Sequence, residues 1–358
     1  MRRYLAALLA ALHLLAFFPP ALAAEWDPTD PNDPLLWEPD LPTFDGPMPR
    51  TGETEDNFRI ILSFTGDMLL ASLHGKRAAG NFLDYAAKED PSYFLQNVRP
   101  IFEADDFTVV NLENVLTDRP LTPVEKKTDP AFWFRAPTSN TAILTSSGVE
   151  AVSLANNHTG DYGSKGASDT VRAVAGAGLE YGNNNRTFYL EKNGYRIAVI
   201  CHGLWTEGQA GAIIQRIKAA EADSDFQIVF YHGGAEGVHT PEAWRVQASR
   251  RLADNGADLV LGNHPHVLQP REVYQGTEIV YSLGNFCFGG SRNPKNRTII
   301  YQLILCIEDG KLVDTASEMI PCYVYTGSVN NYCPAPITDE EQCRRVLDFM
   351  NGKAKLPY

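Results

Sequence analysis

The sequence predicts an α/β fold, and three observations carry that expectation. Six short apolar runs of strand type recur between residues 59 and 285. Stretches of helical pattern fall between them. No break in composition over that span marks a second domain. The runs are RIILSFTGD (59–67), FTVVNLE (107–113), VEAVSLANNH (149–158), FQIVFYHGG (226–234), ADLVLGNHPH (257–266) and EIVYSLGN (278–285). Seven polar residues sit at their ends: Asp67, Glu113, Asn157, His158, His232, His264 and His266. All are of types that ligate metals or move protons. Strands of one sheet end side by side, so such side chains can converge at the sheet edge.

Residues 1–23 hold a basic start, an apolar stretch over Tyr4–Phe18 and then Ala21-Leu22-Ala23. This is the pattern of a secretory signal peptide cleaved after Ala23. The stretch is short for a membrane span, and an uncleaved anchor is the alternative. Residues 24–57 carry seven Pro, ten acids and one base, Arg50. Such a segment cannot bury itself and reads as an acidic, Pro-rich tether.

Helical pattern is expected over Ser92–Phe102, Gly166–Ala177 and Pro241–Asn255. In the last, Pro241 suits a first turn and Gly256 ends it. Residues 321–338, with Pro321, Pro334 and Pro336, read as loop. Asp339–Met350 reads as a terminal helix with Asp339 near its start.

The chain has 358 residues, 44% of them hydrophobic, which suffices for a sizeable core. Its net charge is -13. With no basic stripe, nucleic acid is excluded as an expected partner. Six cysteines occur, and none forms a C-x-x-C pair. A thiolate zinc site and a dithiol redox site are therefore not indicated. Cys201, Cys287 and Cys306 lie in apolar runs and are expected as buried thiols. Cys322, Cys333 and Cys343 fall in the C-terminal segment, where export permits one bridge.

Each site candidate has an ordinary reading beside the functional one. Asp67 follows Gly66 and either faces the site or caps a following helical turn. Glu113 follows a buried run, so it needs a cation, water or a metal. Asn157 is either a ligand or part of an Asn-rich turn. Adjacent His158 can donate a proton to a leaving group. His232 is either structural or a ligand, with Glu236 as its orienting acid. In His264-Pro265-His266 the two imidazoles share a face, and Pro265 places them at or beyond a strand end. Imidazole, carboxylate and amide without thiolate form the donor mix of hydrolytic metals.

In order, Thr65-Gly66-Asp67, Asn111-Leu112-Glu113, Ala155-Asn156-Asn157-His158, His232-Gly233-Gly234-Ala235-Glu236, Gly262-Asn263-His264-Pro265-His266 and Ser282-Leu283-Gly284-Asn285-Phe286 resemble the signature series of the CapA family, the poly-gamma-glutamate capsule synthesis proteins. Phe134-Arg135-Ala136-Pro137 fits the same series. The resemblance implies a metallophosphoesterase-like (calcineurin-like) four-layer αββα sandwich. It would form a single domain over residues 58–320, with 321–358 as a C-terminal extension.

The resemblance also implies roles. Asp67, Glu113, Asn157, His232, His264 and His266 would hold one or two divalent ions, Mn, Zn or Fe, and His158 would be the catalytic acid. By residue type rather than by resemblance, Arg135 joins the catalytic group as the clamp on an anionic substrate, and Glu236 joins it as an acid beside His232. Metallophosphoesterases place a His two residues after the first Asp, where this chain has Leu69, so one metal position lacks a ligand. The expected function is a metal-dependent hydrolase or transferase in poly-gamma-glutamate synthesis or attachment, at the bacterial surface and within a membrane capsule-synthesis complex. The alternatives are a non-catalytic component that holds metal or polymer, and a general extracytoplasmic phosphoesterase.

Overall fold

A computed structural model describes residues 53–75, 79–128 and 130–358. The expected signal peptide (1–23), and the expected tether (24–57) up to residue 52, lie outside the described residues. Among the described residues no helix is long and apolar enough to cross a membrane.

Two large sheets stack face to face. The first runs, in spatial order, Ala335–Pro336, Lys311–Tyr323, Thr298–Glu308, Phe58–Leu69, Phe107–Leu112, Ala151–Ser153 and Glu180–Gly182. The strand Asn285–Phe288 joins it alongside the end of Phe58–Leu69. The second runs Leu268–Tyr274, Thr277–Leu283, Leu259–Asn263, Phe226–His232, Tyr195–Gly203 and Phe188–Lys192. Strands 58–69, 107–112 and 151–153 are mutually parallel. So are 195–203, 226–232, 259–263 and 277–283. Parallel strands present their C-terminal ends at one edge; Asp67, Glu113, His232 and His264 stand at or just beyond such ends, and Asn157, His158 and His266 lie in the loops that follow.

The strands are apolar on both faces because both faces are covered. Between the sheets, Ile60, Leu62 and Phe64 of the first meet Ile228, Phe230 and Leu261 of the second. Phe64 and Phe230 contact edge to face at 5.4 Å. Outside the first sheet, Val110, Leu112 and Val152 are covered by Phe94, Phe102 and Val174, the last from helix Gly163–Gly176. Outside the second, Ile200, Val229 and Val260 are covered by helices Ala210–Ala220 and Ala243–Ala253 through Ile213, Ile217, Val246 and Leu252. The result is the four-layer sandwich that the resemblance implied.

The local expectations fared unevenly. Helices 163–176 and 243–253 stand where periodicity placed them. Ser92–Phe102 is not one helix: a 3₁₀ turn, Pro91–Tyr93, and a single helical turn, Arg99–Phe102, replace it. Pro100 has no N–H for the preceding turn, so a helix cannot run through it. Helix Ala210–Ala220 was not anticipated. The strand Lys311–Tyr323 runs across residue 320 into the segment read as loop. Helix Glu340–Met350 is capped by Asp339, whose side chain accepts from the Gln342 amide. It buries Val346, Phe349 and Met350 in the inter-sheet core. All six cysteines are free thiols, so the permitted bridge does not form, and Cys306 is only partly buried.

Candidate metal centre

Backbone geometry at the sheet edge brings the ligand types together. Strand Phe58–Leu69 passes so close to the Leu283–Gly284 turn that a Cβ on Gly66 would lie 2.1 Å from the Gly284 carbonyl oxygen. Only glycine fits there, and the next residue, Asp67, donates its amide to that same oxygen at 2.9 Å. Asp67 stays within the strand and caps no helix. On the second sheet, His264 has φ 100° and His266 φ 57°. Left-handed backbone is strained for a side-chain-bearing residue. It turns the chain after strand Leu259–Asn263 back over the sheet edge. Pro265 between them accepts from the Gly237 amide at 2.8 Å, tying this turn to the loop after His232.

The side chains converge on Glu113, which is fully buried. Its Oε1 lies 3.3 Å from His232 Nε2, 3.8 Å from His266 Nε2 and 4.0 Å from His158 Nε2. Neither of its oxygens accepts a hydrogen bond. His232 Nε2 also stands 2.9 Å from Asn157 Oδ1 and 3.0 Å from His264 Nδ1. Donors held 2.0–2.2 Å from a shared ion stand about 3.0–3.5 Å from one another, so these spacings suit one. Asp67 closes the other side. Its Oδ2 lies 3.0 Å from His266 Nδ1, and its Oδ1 lies 3.5 Å from His232 Nδ1. Two overlapping sets have all donor atoms within 4.8 Å of one another: Glu113, His264 and His266, and Asp67, Glu113 and His232. A buried carboxylate without a hydrogen-bond partner, shared by two nitrogen- and oxygen-donor sets, fits a divalent cation.

Charge in the cluster is divided unequally. Burial opposes protonation of His232, but Glu113 and Asp67 outweigh it and raise the imidazole to about 9. His266 is partly buried, which also opposes its protonation, but Glu113 and Asp67 outweigh this and raise it to about 10. Burial, reinforced by the two neighbouring imidazoles, lowers His264 to about 2. Burial works against ionised Asp67, yet hydrogen bonds from His232 and His266 hold it well below the usual carboxylate range. Without metal, ionised Asp67 therefore faces two imidazolium ions.

His158 sits beside this set. Its Nδ1 lies 2.8 Å from Asp161 Oδ2, which leaves Nε2 facing Glu113. Asp161 is fully buried and also accepts from the Phe134 amide at 2.8 Å. Lys126 reaches its other oxygen and donates to the Phe132 carbonyl at 2.7 Å. An acid on one ring nitrogen fixes the tautomer of the other, as proton transfer requires.

Two expected members stand elsewhere. Arg135 does not face the centre. In strand Phe134–Ala136 alternate residues point oppositely, and Phe134 takes the inner side, 4.6 Å from the His158 ring. The Arg135 guanidinium lies over Tyr162 and donates to the Arg119 and Leu121 carbonyls. Glu236 does not orient His232. Its side chain is 59% exposed, and its Oε1 is 3.8 Å from His264 Nε2. The group meeting His232 Nδ1 is Asn111, with Nδ2 at 3.1 Å, which also donates to Asp67 Oδ1 at 2.8 Å.

Other neighbours were not foreseen. Asn285 Oδ1 lies 3.0 Å from His266 Nδ1. The Trp205 ring stands 4.9 Å from that of His264 and 5.7 Å from that of His232, walling one side. Asn111 and Asn285 lie in two of the quoted runs, so strand-end position was the available signal for them. Lys126 and Trp205 give none in one sequence. Leu69 is buried where a further imidazole was looked for.

Comparison with known proteins follows the same span. The profile of the family described as bacterial capsule synthesis protein PGA_cap matches residues 61–290. A PGA biosynthesis protein CapA of Bacillus subtilis (strain 168) is 30% identical over 268 residues, 68% of this chain and 70% of the relative. A capsule biosynthesis protein CapA of Bacillus anthracis is 26% identical over 320 residues, 81% of this chain and 72% of the relative. Among solved structures, a hypothetical protein from Thermus thermophilus overlays 73% of this chain and 99% of its own. Its TM-score is 0.43 at 16% identity, too loose a likeness to assign a fold family. The chain belongs to the bacterial capsule synthesis protein family PGA_cap.

Proposed function

We propose that this protein is an exported, metal-dependent hydrolase or transferase that acts on the amide linkage of poly-gamma-glutamate during capsule synthesis. The observation that carries the reading is Glu113: buried, without a hydrogen-bond donor, and 3.3 Å from His232 Nε2. The names of the relatives supply the polymer. Export rests on the leader pattern of residues 1–23.

Glu113, His264 and His266, with His232 and Asn157, would hold the principal ion, and Asp67 stands beside it. A bound divalent ion supplies Lewis acidity towards the substrate carbonyl and lowers the pKa of water. The chain's own work is positioning and proton transfer. In hydrolysis the amide C–N bond breaks, the hydroxyl of water joins the carbonyl carbon, and a proton goes to the departing nitrogen. His158 Nε2 delivers that proton, while Asp161 holds the ring by Nδ1. Trp205 keeps water from one side of the centre.

A second reading is a non-catalytic component that grips metal and polymer. One observation favours it: Leu69, buried and apolar, stands where a second ion would need an imidazole. The deciding experiment measures metal content and turnover of γ-glutamyl and phosphoester substrates, for the wild type and His264→Ala. Metal-dependent γ-glutamyl turnover that His264→Ala abolishes supports the enzyme. Bound metal with no turnover supports the grip, and phosphoester turnover alone overturns the polymer assignment.

A further inference from the structure

We infer that the cavity beside the centre takes the amino-terminal unit of a γ-linked glutamate chain, a head group bearing both an ammonium and a carboxylate. The identity of the chain rests on the reading above. The cavity, about 430 Å³, lies against His158 and His266. Its walls include Leu69, Phe134 and Phe288. The Phe134 ring is 4.6 Å from His158 and the Phe288 ring 5.0 Å from His266, so the apolar surface begins at the centre itself.

Two opposite charges, Glu236 and Lys295, line the same cavity. Both are exposed. They form no ion pair with each other. Glu236 approaches His264, and the Lys295 ammonium lies 5.7 Å from the Tyr358 ring centre. A cavity with an apolar wall and two unlike, separate charges suits a zwitterion joined to a short apolar spacer.

The alternatives meet this cavity poorly. A phosphate monoester is wholly anionic and calls for an arginine fork. Among the described residues none lines the cavity, and Glu236 repels such a group. An internal unit of the polymer has its nitrogen tied into an amide, which leaves Glu236 without a cation. The terminal unit offers an α-ammonium to Glu236, an α-carboxylate to Lys295 and two methylenes to the aromatic wall. Its γ-carbonyl, the link to the next residue, then lies towards Glu113 and His158. The site would hold the chain by one end.

The test is calorimetric binding of γ-linked triglutamate, its N-acetyl form and its terminal α-carboxamide form, with His158→Ala as the background to block turnover. Each blocked ligand is expected to bind about tenfold more weakly. Glu236→Gln is expected to stop distinguishing free amine from N-acetyl. Lys295→Met is expected to stop distinguishing carboxylate from carboxamide. Both side chains are exposed, so folding is not at stake. Equal affinity for blocked and free ligands, discrimination unchanged in the variants, or no binding of the free ligand would overturn the inference. Discrimination without turnover in the otherwise native protein would uphold it and sink the enzyme reading. Metal-dependent turnover indifferent to N-acetylation would do the reverse.

Discussion

Glu113 Oε1 stands 3.3 Å from His232 Nε2, and neither oxygen of that buried carboxylate accepts a hydrogen bond. The two residues come from different sheets, one just past Leu112 and the other at the end of Phe226–His232. Their approach is what makes the sheet edge a site. Coulombic attraction to imidazolium offsets part of the burial cost of the carboxylate, and a cation coordinated by both would offset more.

The titration of this cluster sets a stability profile. His232 and His266 are raised to about 9 and about 10 in the metal-free fold. A raised value contributes stability that is fully present below the unfolded value, about 6.5, and lost as pH climbs through the folded values. Asp67 is depressed, so its contribution is present above its unfolded value, about 3.9, and lost as pH falls. His264 is lowered, so it costs stability below about pH 6.5, where its unfolded form takes up a proton that the fold refuses. Metal-free protein should therefore melt highest near about pH 6.5, losing Tm both below that value and from pH 7 to 10. Metal binding at pH 7 should release about two protons, because both imidazolium ions must give up theirs. Calorimetry in buffers of different ionisation enthalpy reads this, and a release of none would refute the protonated cluster.

His264 and His266 hold strained left-handed backbone, at φ 100° and 57°. His264→Ala and His266→Ala should each lose metal while the domain stays folded. His264→Gly should lose metal too, yet melt no lower than the metal-free wild type, because glycine relieves about 1 kcal/mol of strain. Elemental analysis and thermal melts check both. A variant that retains full metal would contradict the ligand role.

His158 and Asp161 should separate binding from chemistry. His158→Ala is expected to keep its metal and lose roughly 10²–10⁴ in kcat. Asp161→Asn should keep both metal and fold and fall between the two. If His158→Ala turns over at the wild-type rate, the acid role is wrong.

Leu69 limits the ion count. The wild type should hold one ion tightly, and Leu69→His should raise the stoichiometry towards two, at a cost of about 1–3 kcal/mol for the buried polar group. The neighbours needed, Asp67 and His266, are already in place. No gain in metal would show that the position is simply core.

Much of this arrangement was legible in the chain because it follows from period and position. Apolar runs buried on both faces mark strands, and ligand types at their ends converge wherever those strands are parallel, as Asp67, Glu113, His232 and His264 do. Arg135 was misplaced because its role was taken from residue type. Strand alternation gives the inner face to Phe134 and sends the guanidinium to Tyr162. Glu236 was linked to His232 by sequence nearness, yet the turn after His232 carries it out to the mouth. There Gly234, at φ 111°, packs against the buried Arg245 guanidinium. Lys126 and Trp205 act by touching other site residues. Such contacts are tertiary and leave no periodic trace.

Metal content of the purified protein, measured side by side with Glu113→Gln, tests the account most directly. About one equivalent of divalent metal in the wild type, lost on neutralising that single carboxylate, is the expected result. The same metal content in both proteins, or none in the wild type after incubation with Mn, Zn or Fe, would contradict a centre built on Glu113.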